Sequence, residues 1–586
     1  MGYLNKFHRP ELTRQSLGLT NWVKYDKYNP HAEGATDARK SLANLDYSPL
    51  RRVTMASFLM GIAISMGGFI FGYDTGQISG FLAMPDFLER FGQRHSDTGE
   101  YFFSNVRSGL IVSLLSIGTL IGALVAGFVA DVIGRRLSVT FWCVIFSVGT
   151  IVMISAEHRW YQIMMGRWVA GLGVGALSLL VPMYMAETSP RHIRGSLIST
   201  YQLFITFGIF FASCVNFGTY EHQRDNSGSW RIPLGLNFPW AFILGGGILF
   251  FSDTPRYLYR KGHKEEAKRI MEKVYGAPPN HYAIHVELEE IEAKLRAEAN
   301  KEGPLAEWFH MFRAPKMAYR IALGMTLQMF QQLTGANYFF YYGTVIFRAT
   351  GINNSFVTQM ILNGINFGTT FYGLYIVEHY GRRKSLMVGS LWMFLMFLIF
   401  ANVGHFSLDK QDPQRTESSG TAMIVMASFF IFGFATTWGP MIWTICGELY
   451  PSRYRAKGMA LSTASNWLWN FLIAFFTPFI VGKIDFLYGY VFAGCNLVAI
   501  PLIYFFVVEG QGRTLEEIDT MYILGVKPWK SSTWVPPPPE EIAKIRREAG
   551  TAEGLDEAGE IAPAGDRTSD ESNMEKEAEK EAEHRA

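Results

Sequence analysis

The chain has 586 residues, 49% of them apolar and 18% charged, with 46 phenylalanines and a formal net charge of +2. Such a composition excludes an intrinsically disordered chain and argues against an ordinary soluble domain. The small net charge carries no information on partners, because the charges are segregated into loops and tails, and the four cysteines (Cys143, Cys214, Cys446, Cys495) all fall in apolar stretches, which argues against a disulfide framework or a zinc site.

Residues 1–52 are polar and lack a short apolar region followed by a cleavage site, so the first spanning helix is expected to serve as the targeting signal. Roughly twelve apolar stretches of about 20 residues follow, each long enough to cross the hydrocarbon core of a bilayer. Their expected limits are 53–77, 108–130, 137–156, 160–185, 196–218 and 234–251, then 319–347, 357–377, 385–404, 421–446, 458–481 and 486–507. They are called spans 1 to 12 below. Almost none carries a charge. The exceptions are Asp74, at the end of span 1, and Arg167, inside span 4. A charge at the bilayer centre costs roughly 2.5–3.5 kcal/mol on insertion scales, so each is a functional candidate and each is the other's natural partner.

The short even-numbered loops carry Arg135 and Arg136, Arg191 and Arg194, Arg382 to Lys384, and Arg453, Arg455 and Lys457, which places both termini in the cytoplasm. The expected organisation is a cytoplasmic segment 1–52, a six-helix half 53–251, a cytoplasmic linker 252–318, a second six-helix half 319–507 and a cytoplasmic tail 508–586. In the linker, Ile270, Val274, Ile284, Leu288, Ile291 and Leu295 recur at helical spacing and predict surface helices over 264–274 and 285–299, lying across the cytoplasmic mouth. After about residue 530 the tail is an Ala/Glu/Lys/Gly segment opened by Pro536 to Pro539, and disorder is expected.

The two halves repeat each other. Asp131 to Arg136 after span 2 answers Glu378 to Arg383 after span 8, and Glu187 with Arg191 and Arg194 answers Glu448 with Arg453 and Arg455. A weaker third pair is Thr254 to Arg256 after span 6 and Gly512 to Thr514 after span 12. Three repeats in register predict two pseudo-symmetric halves around a site near the midplane, rocking to give alternating access. Ion pairs among Glu187, Arg136, Arg194, Glu378, Arg383, Glu448 and Arg455 are expected to join the halves when the cytoplasmic side is shut. Gly118, Gly122 and Ala126 on span 2, with Gly171, Gly173 and Gly175 on span 4, predict close helix packing.

Span 7 carries the densest polar signal. Gln328, Gln331 and Gln332 lie at i, i+3 and i+4 on one helix face, Gly335 permits a break, and Asn337 follows it. A pyranose needs neutral amides, which donate and accept, and an aromatic ring for its apolar faces. The bland alternative for any one amide is an interhelical hydrogen bond worth ~0.6 kcal/mol. Tyr341 and Tyr342, beyond the break, are candidate gates, and Gly439-Pro440 is a candidate bend in span 10. Asn353 meets the glycosylation pattern but sits too close to the membrane to be a good acceptor.

At Gly72 to Gly76, both Gly-Arg-Arg loops, Gly166 to Trp168, Pro182 to Glu187, Gln202 to Thr206, Gln331 to Gly335, Trp438 to Pro440 and Gly512 to Thr514, the chain resembles the sugar porter family of the major facilitator superfamily. The resemblance runs from about 53 to 520. Tyr338 to Gly343 and Ser465 to Trp469 look most like fungal hexose transporters. It implies an all-α membrane protein of the major facilitator fold, with twelve transmembrane helices. It also implies that Gln202, Gln331, Gln332, Asn337, Asn366 and Asn466 correspond to sugar-hydroxyl ligands, with Trp443 beneath the ring and Asn470 a weaker candidate. In proton-linked members an acid at Asp74 pairs with an arginine at Arg167, yet passive yeast-type carriers keep the acid, so both modes stay open. Asp253 replaces the usual glutamate after span 6, and Glu509-Gly510-Gln511 departs from the usual final motif, so a weaker contact is expected there.

The expected function is transport of a monosaccharide, a hexose such as glucose, at the plasma membrane. The partners are the sugar, the lipid bilayer and, if the central pair titrates, protons; no cofactor, metal or nucleic acid is expected. The alternative is a transporter-like glucose sensor that binds sugar and signals without moving it. No clustered nucleophile and base or phosphate-binding glycine loop suggests an enzyme.

Overall fold

A computed structural model describes residues 22–23, 45–46, 48, 50–51, 53–95, 99–299, 304–350, 354–409, 413–451, 454–511, 513, 515–537 and 539–548. Asn353, Gly512, Thr514 and the tail beyond 548 lie outside these residues. The first half holds Met55–Phe81, Asn105–Ile133, Arg135–Ile154, Trp160–Thr188, Arg191–Gln223 and a sixth span built from Gly228–Gly235, Asn237–Gly247 and Ile248–Phe250. The second half holds a broken span 7 (Met317–Leu333 and Ala336–Ala349), Ser355–His379, Arg382–Asn402, a composite span 10 (Glu417–Gly433 to Gly439–Leu449), Arg455–Ile484 and Tyr488–Phe506.

Nine segments among the described residues are long and apolar enough to cross a membrane, and the last, Arg455–Phe506, contains two consecutive helices. Spans 7 and 8 are not in that set. Span 7 is divided at Gly335 into helices of 17 and 14 residues, and it carries the amide face that the sequence singles out.

Local chemistry fixes the ends. Thr54 and Ser57 form a reciprocal capping box at the start of span 1. Gly134 and Gly381, at φ +92° and +82°, stand at the N-caps of spans 3 and 9, and a side chain in that left-handed region is strained. Acids then occupy the free amides at the new helix starts. Asp253 Oδ1 accepts from the Arg135 amide at 3.0 Å, and Glu509 Oε1 accepts from the Arg382 amide at 2.8 Å.

Spans 2 and 4 pack backbone to backbone, because a Cβ on Gly118 would overlap the Trp168 carbonyl and one on Gly122 the Leu172 carbonyl. Spans 1 and 5 pair in the first half; spans 9 and 12, and 7 and 11, pair in the second. The halves meet through spans 2 and 11, 5 and 8, and 1 and 7. Their named contacts run from midspan to the face opposite the linker: Ser116 to Asn470, Ser79 to Thr344, Tyr220 to Phe356 and Glu221 to Asn354.

The linker contains Pro255–Arg260, Lys264–Tyr275, Tyr282–Ala299 and Pro304–Arg313, two helices more than expected. Val274, Ile284 and Ile291 are buried, as their spacing predicts. The tail keeps its structure past 530. A 3-10 turn, Pro528–Thr533, precedes a helix, Pro539–Glu548, that packs on Leu515–Ile523. Composition missed this because the helix is fastened by one charge cluster: Asp519 meets Arg320 at 2.6 Å and Arg546 at 3.1 Å, with all three side chains buried.

Candidate functional site

Met317–Leu333 packs on span 11 and ends at the break at Gly335 (φ +94°). Asn466 Nδ2 on that span donates to Gln328 Oε1 at 2.7 Å and to Gln331 Oε1 at 2.8 Å. Gln331 Nε2 in turn donates to the carbonyls of Trp438 and Gly439, both at 3.0 Å, and Gln328 Nε2 faces Cys446 Sγ. Gln332 is held differently: its Oε1 accepts from Asn337 Nδ2 and from Asn470 Nδ2. Six of the amide residues therefore form two triads, Gln328–Gln331–Asn466 and Gln332–Asn337–Asn470, both between spans 7 and 11.

The two triads divide the labour. Gln328 and Gln331 spend their amides on neighbouring helices, whereas Nε2 of Gln332 and Oδ1 of Asn337 have no hydrogen-bond partner among the described residues. The same holds for the side-chain amides of Gln202 on span 5 and Asn366 on span 8. The structure ties neither of these two to the cluster by a hydrogen bond. Amides with spare donors and acceptors are the groups able to exchange water for sugar hydroxyls.

Span 10 explains where Gln331 is directed. Phe434–Trp438 forms a π-turn immediately before Gly439-Pro440, and Gln331 bonds the carbonyls at that junction. The expected bend is thus widened into a π-bulge, a local unwinding often found at functional sites. Trp438 is fully buried and donates to Ser390 Oγ at 2.9 Å, while Trp443, one turn beyond the bend, is half-buried. Of the two, Trp443 is the one with a face to offer.

Asp74 and Arg167 are both buried and face each other at 4.0 Å between Oδ2 and Nη1. Neither that oxygen nor any guanidinium nitrogen has a hydrogen-bond partner among the described residues. Asp74 Oδ1 is held instead by Gln77 Nε2 at 2.8 Å, and Asn216 Nδ2 bonds the Gln77 carbonyl at 2.9 Å. Gln77 escaped the sequence reading, although its i+3 spacing from Asp74 was a usable signal.

Tyr341 donates to Asn470 Oδ1 at 3.0 Å and Tyr342 to the Ala474 carbonyl. Both are buried, so the second piece of span 7, Ala336–Ala349, is fastened to span 11 in this state.

The arginine networks differ from expectation in one register. Arg135, not Arg136, meets both oxygens of Glu187, at 3.0 and 3.1 Å; Arg382, not Arg383, meets Glu448 at 2.9 Å. The reason is local: the left-handed glycine makes the first arginine the first helical residue, beside the carboxylate. Arg383 instead donates to the Tyr504 carbonyl at 2.6 Å. Both cages lie within one half. Arg194 bonds Glu287 of the linker at 2.8 Å, so it too does not join the halves. Arg455 opens span 11, and the Glu378 side chain is outside the described residues. Asp253 keeps its contact despite being shorter. Burial raises its carboxyl above the usual range, against the Thr254, Arg135 and Arg136 amides and the Arg135 charge, which pull it down.

Residues 60–522 match the model of a family described as sugar (and other) transporters. The chain is 46% identical over 478 residues to a low-affinity glucose transporter of Saccharomyces cerevisiae, covering 81% of this chain and 83% of the relative. It is 44% identical to a high-affinity hexose transporter of the same yeast, covering 88% and 90%, and 43% identical to a high-affinity fructose transporter of Schizosaccharomyces pombe, covering 82% and 89%. Among solved structures, the inward-open xylose transporter XylE from E. coli aligns with a TM-score of 0.65 at 24% identity, covering 79% of this chain and 99% of that one.

Proposed function

The chain belongs to the sugar porter family of the major facilitator superfamily, and from that premise we propose that it carries a hexose, with glucose the expected substrate, by alternating access. It is a multi-pass membrane transporter and not an enzyme. The observation that carries the reading is the pair of amide triads at the broken span 7, in one of which Gln332 and Asn337 hold unclaimed hydrogen-bonding atoms. Gln332, Asn337, Gln202 and Asn366 bind sugar hydroxyls, Trp443 lies under the ring, and Gln328, Gln331 and Asn466 set the wall in this state. The test is binding and uptake of labelled glucose by the purified, reconstituted protein and its Gln332→Ala variant.

Both termini, the linker and the tail lie in the cytoplasm, as the basic loops require, and the membrane is the plasma membrane. The halves then touch on the extracellular side and the site opens inward. Residues 53–251 and 319–507 are the rocking units. The cages Arg135–Glu187 and Arg382–Glu448 stiffen the cytoplasmic end of each unit, so that closing that side requires re-pairing across the gap.

A second reading, proton-coupled transport, is favoured by Asp74 and Arg167. A buried ion pair lacking direct hydrogen bonds is poorly compensated, and protonating Asp74 would remove the charge that restrains Arg167. A glucose sensor would share the binding site, and failure to move sugar would identify one.

A further inference from the structure

The turn Pro528–Thr533 packs on the end of span 12. The Trp529 ring stacks on Tyr504 with centroids 6.3 Å apart and planes 5° apart, and it meets Phe505 edge-on at 5.9 Å. Tyr504 and Phe505 are 41% and 51% exposed on the lipid-facing end of that span, and Trp529 is 39% exposed beside them. Lys527 Nζ lies 5.6 Å from the Trp529 ring, and Lys530 is exposed on the same turn. Leu524 and Val535 flank it as exposed apolar groups, and no acid occurs from 524 to 537.

The turn is rigidly placed. Ser531 is buried; its Oγ accepts from the Glu509 amide at 2.9 Å and donates to the Pro528 carbonyl at 2.6 Å. Arg513 donates to the carbonyls of Ser531 and Trp534 at 3.0 and 2.7 Å. Glu509 is also the acid that caps span 9. The turn is therefore fixed to the segment that follows span 12 and, through Glu509, to the start of span 9.

We propose that this turn is a membrane-surface anchor that takes anionic phospholipid headgroups of the leaflet on the linker face. Trp529 extends the lipid-facing surface of span 12, and indole rings favour this depth. Lys527 and Lys530 sit above it, where each lysine near an anionic surface strengthens attraction about fivefold. Continuity with the lipid-facing span and a cationic face without acids select lipid over a soluble protein.

The full-length protein, with p-benzoylphenylalanine in place of Trp529, is reconstituted in vesicles of phosphatidylcholine alone or mixed with phosphatidylserine, irradiated and weighed. Lipid adducts are expected, with phosphatidylserine enriched about fivefold over its share for each contributing lysine and the enrichment lost in Lys527→Ala/Lys530→Ala. The same probe at Phe505 reports that the photochemistry works and is expected to show little headgroup preference. Absence of lipid adducts at 529 while 505 yields them overturns the proposal, as do adducts that follow bulk lipid composition or a protein adduct in their place. Without any engineered probe, native mass spectrometry of the wild type is expected to retain phosphatidylserine that Lys527→Gln/Lys530→Gln releases. Equal retention overturns it too.

Discussion

Asp74 and Arg167 lie 4.0 Å apart in the buried middle of the first half, yet the hydrogen bond that Asp74 makes goes to Gln77. The carboxylate is shared between a neutral amide and a guanidinium that it does not fully engage. If transport is proton-coupled, Asp74→Asn abolishes glucose accumulation above equilibrium and spares exchange. Uptake with the same pH dependence in Asp74→Asn and wild type would show the pair to be structural.

Gln332→Ala removes the free donor and the acceptor that holds Asn337 and Asn470. Loss of one or two hydrogen bonds costs about 1–3 kcal/mol, or roughly 5- to 150-fold in affinity. Glucose binding is expected to weaken by that factor at unchanged surface expression. Wild-type affinity in a well-expressed variant would remove Gln332 from the site.

Gln331→Ala is expected to behave differently. Its amide supports the span 10 π-turn and accepts from Asn466. The variant should lose about 1–3 kcal/mol of stability as well as affinity, read as a lower melting temperature in detergent. Weak binding with unchanged melting would instead make it a sugar ligand alone.

Much of this site is legible in the sequence, and the remainder fails for definable reasons. The i, i+3, i+4 spacing of Gln328, Gln331 and Gln332 locates the amide face, and Gly335 locates the break. Spacing cannot say which amides are spent on helix packing. That depends on Asn466 arriving from span 11, 138 residues away from Gln328. The register slip from Arg136 to Arg135, and from Arg383 to Arg382, is likewise invisible in two identical neighbours until the φ of Gly134 and Gly381 sets the helix start. The helix Pro539–Glu548 was not expected because Arg546 reads as one charge in a polar run, and only the buried Asp519 gives it a place.

Gly134→Ala places a side chain in left-handed backbone and against Asp253 Oδ2. A cost of at least about 1–2 kcal/mol is expected, seen as a lower melting temperature. Gly127→Ala, where a Cβ meets only Leu179 at 4.0 Å, is the control and should be neutral or stabilising.

Arg546→Met leaves one buried oxygen of Asp519 without its arginine while Arg320 keeps the other. The helix Pro539–Glu548 is expected to loosen, at a cost of about 1–3 kcal/mol, and limited proteolysis should then cut between residues 523 and 539. Equal protease resistance in variant and wild type would show that apolar packing alone holds the tail.

Hexose carriage itself is tested most directly by radiolabelled glucose entry into sealed vesicles containing the purified protein. Saturable entry is expected, slowed in Gln332→Ala; a proton gradient then separates accumulation from simple equilibration. Glucose binding without any protein-dependent entry would contradict transport and identify a sensor.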